Sequence, residues 1–287
     1  MTTAVSLAEV IRMPPTGRTR AVVLDFHDYA QTVFLKGRPV PWGEAMAYSN
    51  FLGQAQGVLK SDALILPLDR FYGEILLQSP DLRVAMGAKS RTGYALRALL
   101  GDVNATTRTV DFVSTFVKTQ RSPVVLQLSS PFRWLADTHA MVGGEPELDG
   151  DNAENASIYV ADLLRGFAAL PLAGILLDDR TQSETAPRLT VGLDAYSPVA
   201  NVTDHYGWTL AMRGHGGITL AGNSVVGELI PAGFWAGDAA VSPGLPQGEF
   251  LIGEIPTGAV PETVMSRIAV MGGLWRLPPA PKARSAG

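Results

Sequence analysis

Hydrophobic and polar positions along the chain alternate between two kinds of segment. Short apolar runs without polar interruption read as strands covered on both faces, and runs with apolar residues three and four apart read as helices. AVVLDF at 21–26 and QTVFL at 31–35 are the first β-type runs. A helical pattern follows from Trp42, with Ala45, Tyr48, Phe51, Leu52 and Ala55 on one face. The clearest strand is the six-residue apolar run Ala63 to Leu68 within KSDALILPLDRFYGE. It ends abruptly at Asp69 and Arg70, and a short helix is expected over 71–77. Residues 82–86 read as a strand or an extended segment, and helices are expected around 94–100 and 106–119. PVVLQLSSPF at 123–132 is a second buried strand, followed by an acidic turn-forming stretch at 143–155 and a helix over 156–169. GILLDD ends in Asp178 and Asp179, LTVGLDAY brings Asp194 and Tyr196, and GITLAGNSV brings Asn223 and Ser224. EFLIGEI at 249–255 is the last strand, and Pro261 and Glu262 open a final helix, with a proline and an acid where a first turn favours them.

Strand, loop and helix repeated at this spacing imply parallel strands with crossover helices. The expected fold is an α/β protein built as a single (β/α)8 TIM-type barrel, its parallel strands wrapped by outer helices, with an open doubly wound sheet as the fallback. The barrel is expected over 21–277, with loosely held segments at 1–20 and 278–287. At 287 residues, the chain is long enough for one barrel of roughly 250 residues. No glycine-rich dinucleotide fingerprint follows a strand, since GHGG at 214–217 precedes one.

Composition narrows the chemistry. The chain has no cysteine, which removes thiol nucleophiles, disulfides and thiolate metal sites. A net charge of -4 with scattered basic residues gives no footprint for nucleic acid. No run approaches the roughly 18 apolar residues of a membrane span, and the first twenty residues lack a secretory apolar core. The expectation is a cytoplasmic protein that acts on a small-molecule substrate, with neither a nucleic-acid nor a membrane partner.

In barrels and open α/β sheets, functional groups cluster at strand carboxyl ends. Asp69, Asp178, Asp179, Asp194 and Glu254 all fall at such ends, with Arg70, Tyr72, Arg133, His139, Arg180 and Tyr196 as neighbours. Several carboxylates in one pocket cannot all ionise without cost, so one is expected to keep a proton and serve as a general acid. An arginine would grip a substrate carboxylate or enolate with paired hydrogen bonds. His205 and His215 are candidates for a hard-metal site with these carboxylates, though neither shows metal-ligand spacing. Trp134 and Trp235 are candidates for stacking on a ligand.

Patchy motifs from about residue 36 to 271 resemble the uroporphyrinogen decarboxylase family, a superfamily that includes cobalamin-independent methionine synthase and corrinoid-linked methyltransferases. SDALILPLD matches the family strand that carries its catalytic aspartate, here Asp69. VVLQLSSPFRWLADTHAMVGG matches an apolar strand leading to Pro131, Phe132 and the closing Gly143 and Gly144. GILLDDR supplies Asp178 and Asp179 where the family strand ends in Phe-Asp-Ser-Trp, and FLIGEIPTGAVPETV keeps Pro261, Glu262 and Val264. The resemblance implies a homodimer and puts Asp69 on the family's catalytic aspartate; with the strand-end acids Asp179 and Glu254 as further catalytic candidates, the expectation is a decarboxylase-like lyase without a cofactor. By their place at or beside the strand ends, Arg70, Tyr72, Arg133, His139, Asp178, Asp194 and Tyr196 are the candidates for binding substrate. VPWGEAM has no arginine where the family grips tetrapyrrole propionates, which argues against porphyrinogen as the substrate. The expected reaction is general acid–base chemistry on a small carboxylate-bearing or aromatic molecule. The alternatives are a metal-dependent or corrinoid-type methyl or alkyl transferase and a non-catalytic small-molecule-binding barrel.

Overall fold

The apolar runs become strands that close on one another. The computed structural model describes residues 5–143, 148–180, 191–222, 225–236 and 244–272. Its strands are β1 (Val22–Asp25), β2 (Leu64–Pro67), β3 (Val124–Ser129), β4 (Gly174–Asp178), β5 (Thr209–Gly214), β6 (Gly217–Leu220), β7 (Val226–Ile230) and β8 (Phe250–Glu254). They form one closed barrel in chain order, with β8 paired to β1.

Around and between them lie α1 (Leu7–Arg12), α2 (His27–Phe34), α3 (Ala45–Leu59), α4 (Leu68–Gln78), α5 (Pro80–Met86) and α6 (Tyr94–Gly101). The series continues with α7 (Val103–Thr119), α8 (Pro131–Val142), α9 (Gly150–Arg165), α10 (Ser197–Tyr206), α11 (Ala232–Ala236) and α12 (Pro261–Gly272). Among the described residues, no helix is long and apolar enough to cross a membrane.

The barrel is mixed, which corrects the expectation of all-parallel strands. β6 runs antiparallel to both β5 and β7. Only His215 and Gly216 separate β5 from β6, and two residues can turn a hairpin but cannot make the crossover that parallel strands need. Gly217 closes that hairpin at φ +151, where a Cβ would lie 1.9 Å from the Gly227 carbonyl oxygen. Because β6 is reversed, it ends at Leu220 at the opposite end of the barrel from the other strand exits; Asn223 and Ser224, expected at a strand end, lie outside the described residues.

Other segments also differ from the pattern reading. QTVFL belongs to α2, and residues 82–86 lie in α5, where Pro80 occupies the first helical position. Leu193–Tyr196, expected as a strand end, is a 3-10 turn leading into α10. β5 and β7 were not recognised in the sequence; β5 carries an arginine inside the barrel, which breaks the apolar signature.

Period-two alternation sorts the strand side chains into two cores. Leu24, Leu64, Leu66, Val124, Leu126, Ile175, Leu177, Leu210 and Leu251 face the helices. Val23, Ile65, Val125, Leu176, Ala211 and Ile252 form the inner cluster, together with Leu7 and Val10 of α1. Residues from 5 onward, expected to be loosely held, therefore include a helix packed on the barrel. The Leu7 N–H donates to the Ala173 carbonyl at 2.8 Å and the Ala8 N–H to Thr209 Oγ1 at 3.0 Å, so α1 covers the end where strands begin. Residues 278–287 lie outside the described residues.

Candidate functional site

Two residues further along five of the strands, the inner face changes from apolar to polar. Asp25, Gln127, Asp178, Arg213 and Glu254 continue the columns of Val23, Val125, Leu176, Ala211 and Ile252. Register brings them level, with Asp25 beside Glu254 and Asp178 beside Arg213. Arg213 is 1% exposed and supplies the bridging charge. Its Nη1 donates to Asp25 Oδ2 at 2.7 Å and to Gln127 Oε1 at 2.9 Å, and its Nη2 donates to Glu254 Oε1 at 2.5 Å. Arg180 continues the chain of charges, donating to Glu254 and, at 2.8 Å through Nε, to Asp178 Oδ1. Burial alone would raise the Asp25 pKa, but the charge and hydrogen bond of Arg213, helped by the charges of Arg70 and Arg180, hold the carboxyl below its usual value.

Beside this layer, α4 starts directly from the end of β2, with Pro67 as its N-cap and no side chain capping it. Asp69 lies in the first turn, half-buried as a residue, with its Oδ1 shut off from solvent and without a hydrogen-bond partner. Burial pushes its pKa up to about 6; the negative charge of Asp178 adds to the rise, while Arg70 and backbone N–H groups oppose it. Arg70 forks onto Asp28, with Nη2 donating to Oδ2 at 2.9 Å and Nη1 bonded to Oδ1. Its Nη1 also lies 3.3 Å from Nδ1 of His27. His27 and the Arg70 fork together hold the Asp28 carboxyl well below the usual carboxylate range.

The consecutive aspartates after β4 take separate roles. Asp178 faces Arg180, whereas Asp179 turns to the start of α8. There, Ser130 Oγ donates to Asp179 Oδ1 at 2.6 Å and accepts the Arg133 N–H at 3.2 Å as the helix N-cap. Arg133 Nε donates to the Asp179 carbonyl at 3.0 Å. Burial raises the Asp179 pKa against the pull of Ser130 and Arg133. Tyr196 is fully buried next to Ser130, and burial pushes its pKa up to about 12.

Asp69, Arg70, Asp178 and Glu254 thus belong to one end of the barrel, with Asp179, Arg133 and Tyr196 as an adjoining group. No family model, no curated protein and no solved structure matches the chain.

Three expected substrate contacts stand elsewhere. Tyr72 packs edge-on against Trp134, with ring centroids 5.2 Å apart, in the core between barrel and helices. His139 is buried late in α8, nearly two turns beyond Arg133, and Asp194 is exposed on the 3-10 turn. The two tryptophans considered for stacking are buried in helices α8 and α11. His205 is exposed near the end of α10 with its ring against Tyr206, and His215 is exposed in the β5–β6 hairpin within electrostatic reach of Asp179. Among the described residues, no three His, Asp or Glu side chains are grouped to hold a metal ion. An open depression of about 370 Å³ lined by Ser49, Gly53, Gln54 and Gln120 lies between α3 and α7, in the helix layer.

Asp25, Arg213, Gln127, His27 and Asp28 were missed as site residues. Asp25 ends the apolar run AVVLD and follows the same rule that marks Asp69. Arg213 gave no such signal, because an arginine inside a strand reads as a reason to reject the strand.

Proposed function

We propose that the protein is a lyase that resembles the uroporphyrinogen decarboxylase family. In this reading it acts on a small carboxylate-bearing or aromatic acid by general acid–base chemistry, with Asp69 as the proton-transferring group. The supporting observation is the unpartnered, solvent-shielded Oδ1 of Asp69 at the strand exits, on a carboxyl whose pKa near 6 leaves a usable fraction of both protonation states around neutrality. Six carboxylates (Asp25, Asp28, Asp69, Asp178, Asp179 and Glu254) share this end with four guanidinium groups (Arg70, Arg133, Arg180 and Arg213). The excess of acid favours retention of a proton, and Asp69 and Asp179 are the two whose pKa is raised.

In a decarboxylation, the bond to the departing carboxylate breaks, CO₂ leaves, and the electron pair left on carbon takes the proton from Asp69. Arg70, 37% exposed, and Arg180, 23% exposed, are the cations within reach of solvent for holding a second carboxylate or a developing enolate. Asp178 and Glu254 then act by orienting Arg180. By the same resemblance the working form is a homodimer, and from the absence of an apolar leader or span in the sequence the cytoplasm is its expected compartment.

The test is to incubate the protein with a panel of small aliphatic and aromatic acids in D₂O, following CO₂ release and deuterium incorporation. Asp69→Asn is expected to abolish both for any acid the wild type turns over. Full turnover by that variant would remove Asp69 from the reaction.

A further inference from the structure

Next to Arg70 lies an aromatic cluster that packing alone does not account for. His27 begins α2 immediately after β1 and is 5% exposed, and Tyr48 of α3 is 0% exposed. Trp42, on the connection between these helices, lies flat over both rings. Its centroid is 5.2 Å from His27 at an interplanar angle of 13° and 4.6 Å from Tyr48 at 24°. The stacked pair Phe71 and Phe112, with centroids 4.2 Å apart, packs behind.

A cluster used only for packing would be served by Phe and Leu, yet this one buries two polar atoms without partners: His27 Nε2 and the Tyr48 hydroxyl. Nδ1 of His27 lies 3.3 Å from Arg70 Nη1 and 3.6 Å from Asp28 Oδ1, so the polar neighbours of the imidazole gather at Nδ1 and Nε2 is left without one. A buried ring nitrogen and a buried hydroxyl, both without partners, therefore belong to the two rings that Trp42 covers. On the other side of His27, the Arg70 fork holds the half-exposed Asp28 carboxylate, which lies 3.6 Å from the imidazole. One imidazole thus touches a stacked planar ring and a carboxylate held by arginine.

The segment bearing Trp42 is held by its own turns. The N–H groups of Gly37, Arg38, Trp42 and Glu44 donate to carbonyls at Gln31, Leu35, Val40 and Pro41. Lys36 and Gly37 adopt positive φ at its start, so the segment's conformation is set locally and does not depend on pairing with the barrel.

We propose that this is the ring-and-carboxylate subsite for an aromatic carboxylic acid that carries a polar ring substituent, with Trp42 and Asp28 standing in for the ligand's ring and carboxylate. This deepens the lyase reading by naming a substrate class, and it rests on that reading for the role of the neighbouring Asp69. The ligand ring displaces or sandwiches with Trp42, its carboxylate shares Arg70, and its substituent satisfies the Tyr48 hydroxyl or His27 Nε2.

The test uses full-length protein labelled with 5-fluorotryptophan, with the Trp42 fluorine resonance assigned through Trp42→Phe. 4-Hydroxybenzoate is expected to shift that resonance saturably and to bind more tightly than benzoate, while cyclohexanecarboxylate leaves it in place. Tyr48→Phe, which removes a hydroxyl without a partner and so spares the fold, is expected to weaken 4-hydroxybenzoate about tenfold and bring it level with benzoate. Arg70→Gln is expected to abolish binding of both acids. A Trp42 resonance unmoved by either aromatic acid, or moved equally by cyclohexanecarboxylate, overturns the subsite. Binding without turnover of any acid keeps the subsite and removes the lyase. Turnover of a non-aromatic acid with Trp42 unmoved does the reverse.

Discussion

Two aspartates flank β2, seven residues apart, and the two ends of the barrel treat them differently. Asp62, at the end where strands begin, is 0% exposed and has both oxygens doubly bonded. Oδ1 accepts from the Thr16 N–H at 3.1 Å and from Thr16 Oγ1 at 2.6 Å, and Oδ2 accepts from Arg18 Nη1 at 3.0 Å and the Val22 N–H at 2.8 Å. Asp69, at the end where strands finish, keeps one buried oxygen without a partner. The same side chain is thus used at one end to staple the N-terminal segment to β1 and β2, and at the other is held where its charged form is costly. Complete satisfaction of a buried carboxylate marks a structural role; incomplete satisfaction at strand exits leaves a group available for chemistry.

Breaking the closed end should cost the most. Asp62→Ala strands the 3% exposed Arg18 without its carboxylate, and loss of one partner of a buried pair costs roughly 3–5 kcal/mol. Urea denaturation should show an unfolding free energy lowered by that amount, as a lower midpoint at unchanged slope. Arg213→Met at the open end leaves Asp25 and Glu254 facing each other, but their side chains are 20% and 41% exposed and water relieves part of the charge. The expected loss is therefore smaller, roughly 3 kcal/mol above neutral pH, and should shrink as the pH is lowered and the carboxylates protonate. A pH-independent loss would mean that Arg213 acts by packing alone.

The polar layer that makes Arg213 important is also where the sequence was hardest to read. Buried strands β2, β3, β4 and β8 announce themselves because nearly every position is apolar until the exit, Gln127 of β3 being the exception, so Asp69, Asp178 and Glu254 were legible as strand-end acids. The mixed barrel was not legible, since GHGG looks like a loop before a strand until TLAMR is recognised as a strand itself. Tyr72, read as a ligand contact from its closeness to Asp69 in sequence, lies one turn further along α4. In α4, residues 69 and 72 fall near the same face, but the first turn points to the barrel exit and the next points into the helix layer against Trp134. The pairing of His27 with Arg70 joins segments 43 residues apart, and no local pattern could have indicated it.

Asp69→Asn sharpens the comparison with an effect of opposite sign. The native pKa is raised from 3.8 to about 6, so the folded state holds its proton after the unfolded state has lost it. Wild-type stability therefore falls as pH rises from about 4 to about 6, and the cost is fully present above that window. The shift corresponds to about 3 kcal/mol at most, and the partial exposure of the residue discounts it to about 2. Asn should accordingly raise the unfolding free energy by about 2 kcal/mol at pH 8 and change little at pH 3.5. An asparagine variant equally stable at both values would place Asp69 among ordinary surface acids.

The smallest effect tests whether the closed end is one cooperative unit. Ser6 caps α1 by a reciprocal box, its hydroxyl accepting the Glu9 N–H at 3.3 Å while the Glu9 carboxylate accepts the Ser6 N–H at 2.8 Å. Loss of such a cap costs about 1 kcal/mol. If α1 folds with the barrel, as its buried Leu7 and Val10 and its bonds to the starts of β4 and β5 imply, Ser6→Ala should lower global stability by that amount. Hydrogen exchange should then speed up equally in α1 and in the inner strands. If α1 only rests on the barrel, exchange should rise in residues 7–12 alone, with the denaturation midpoint unchanged. The first outcome makes the N-terminal helix part of the scaffold that holds the open end in register; the second confines cooperativity to the strands and to the Asp62 staple.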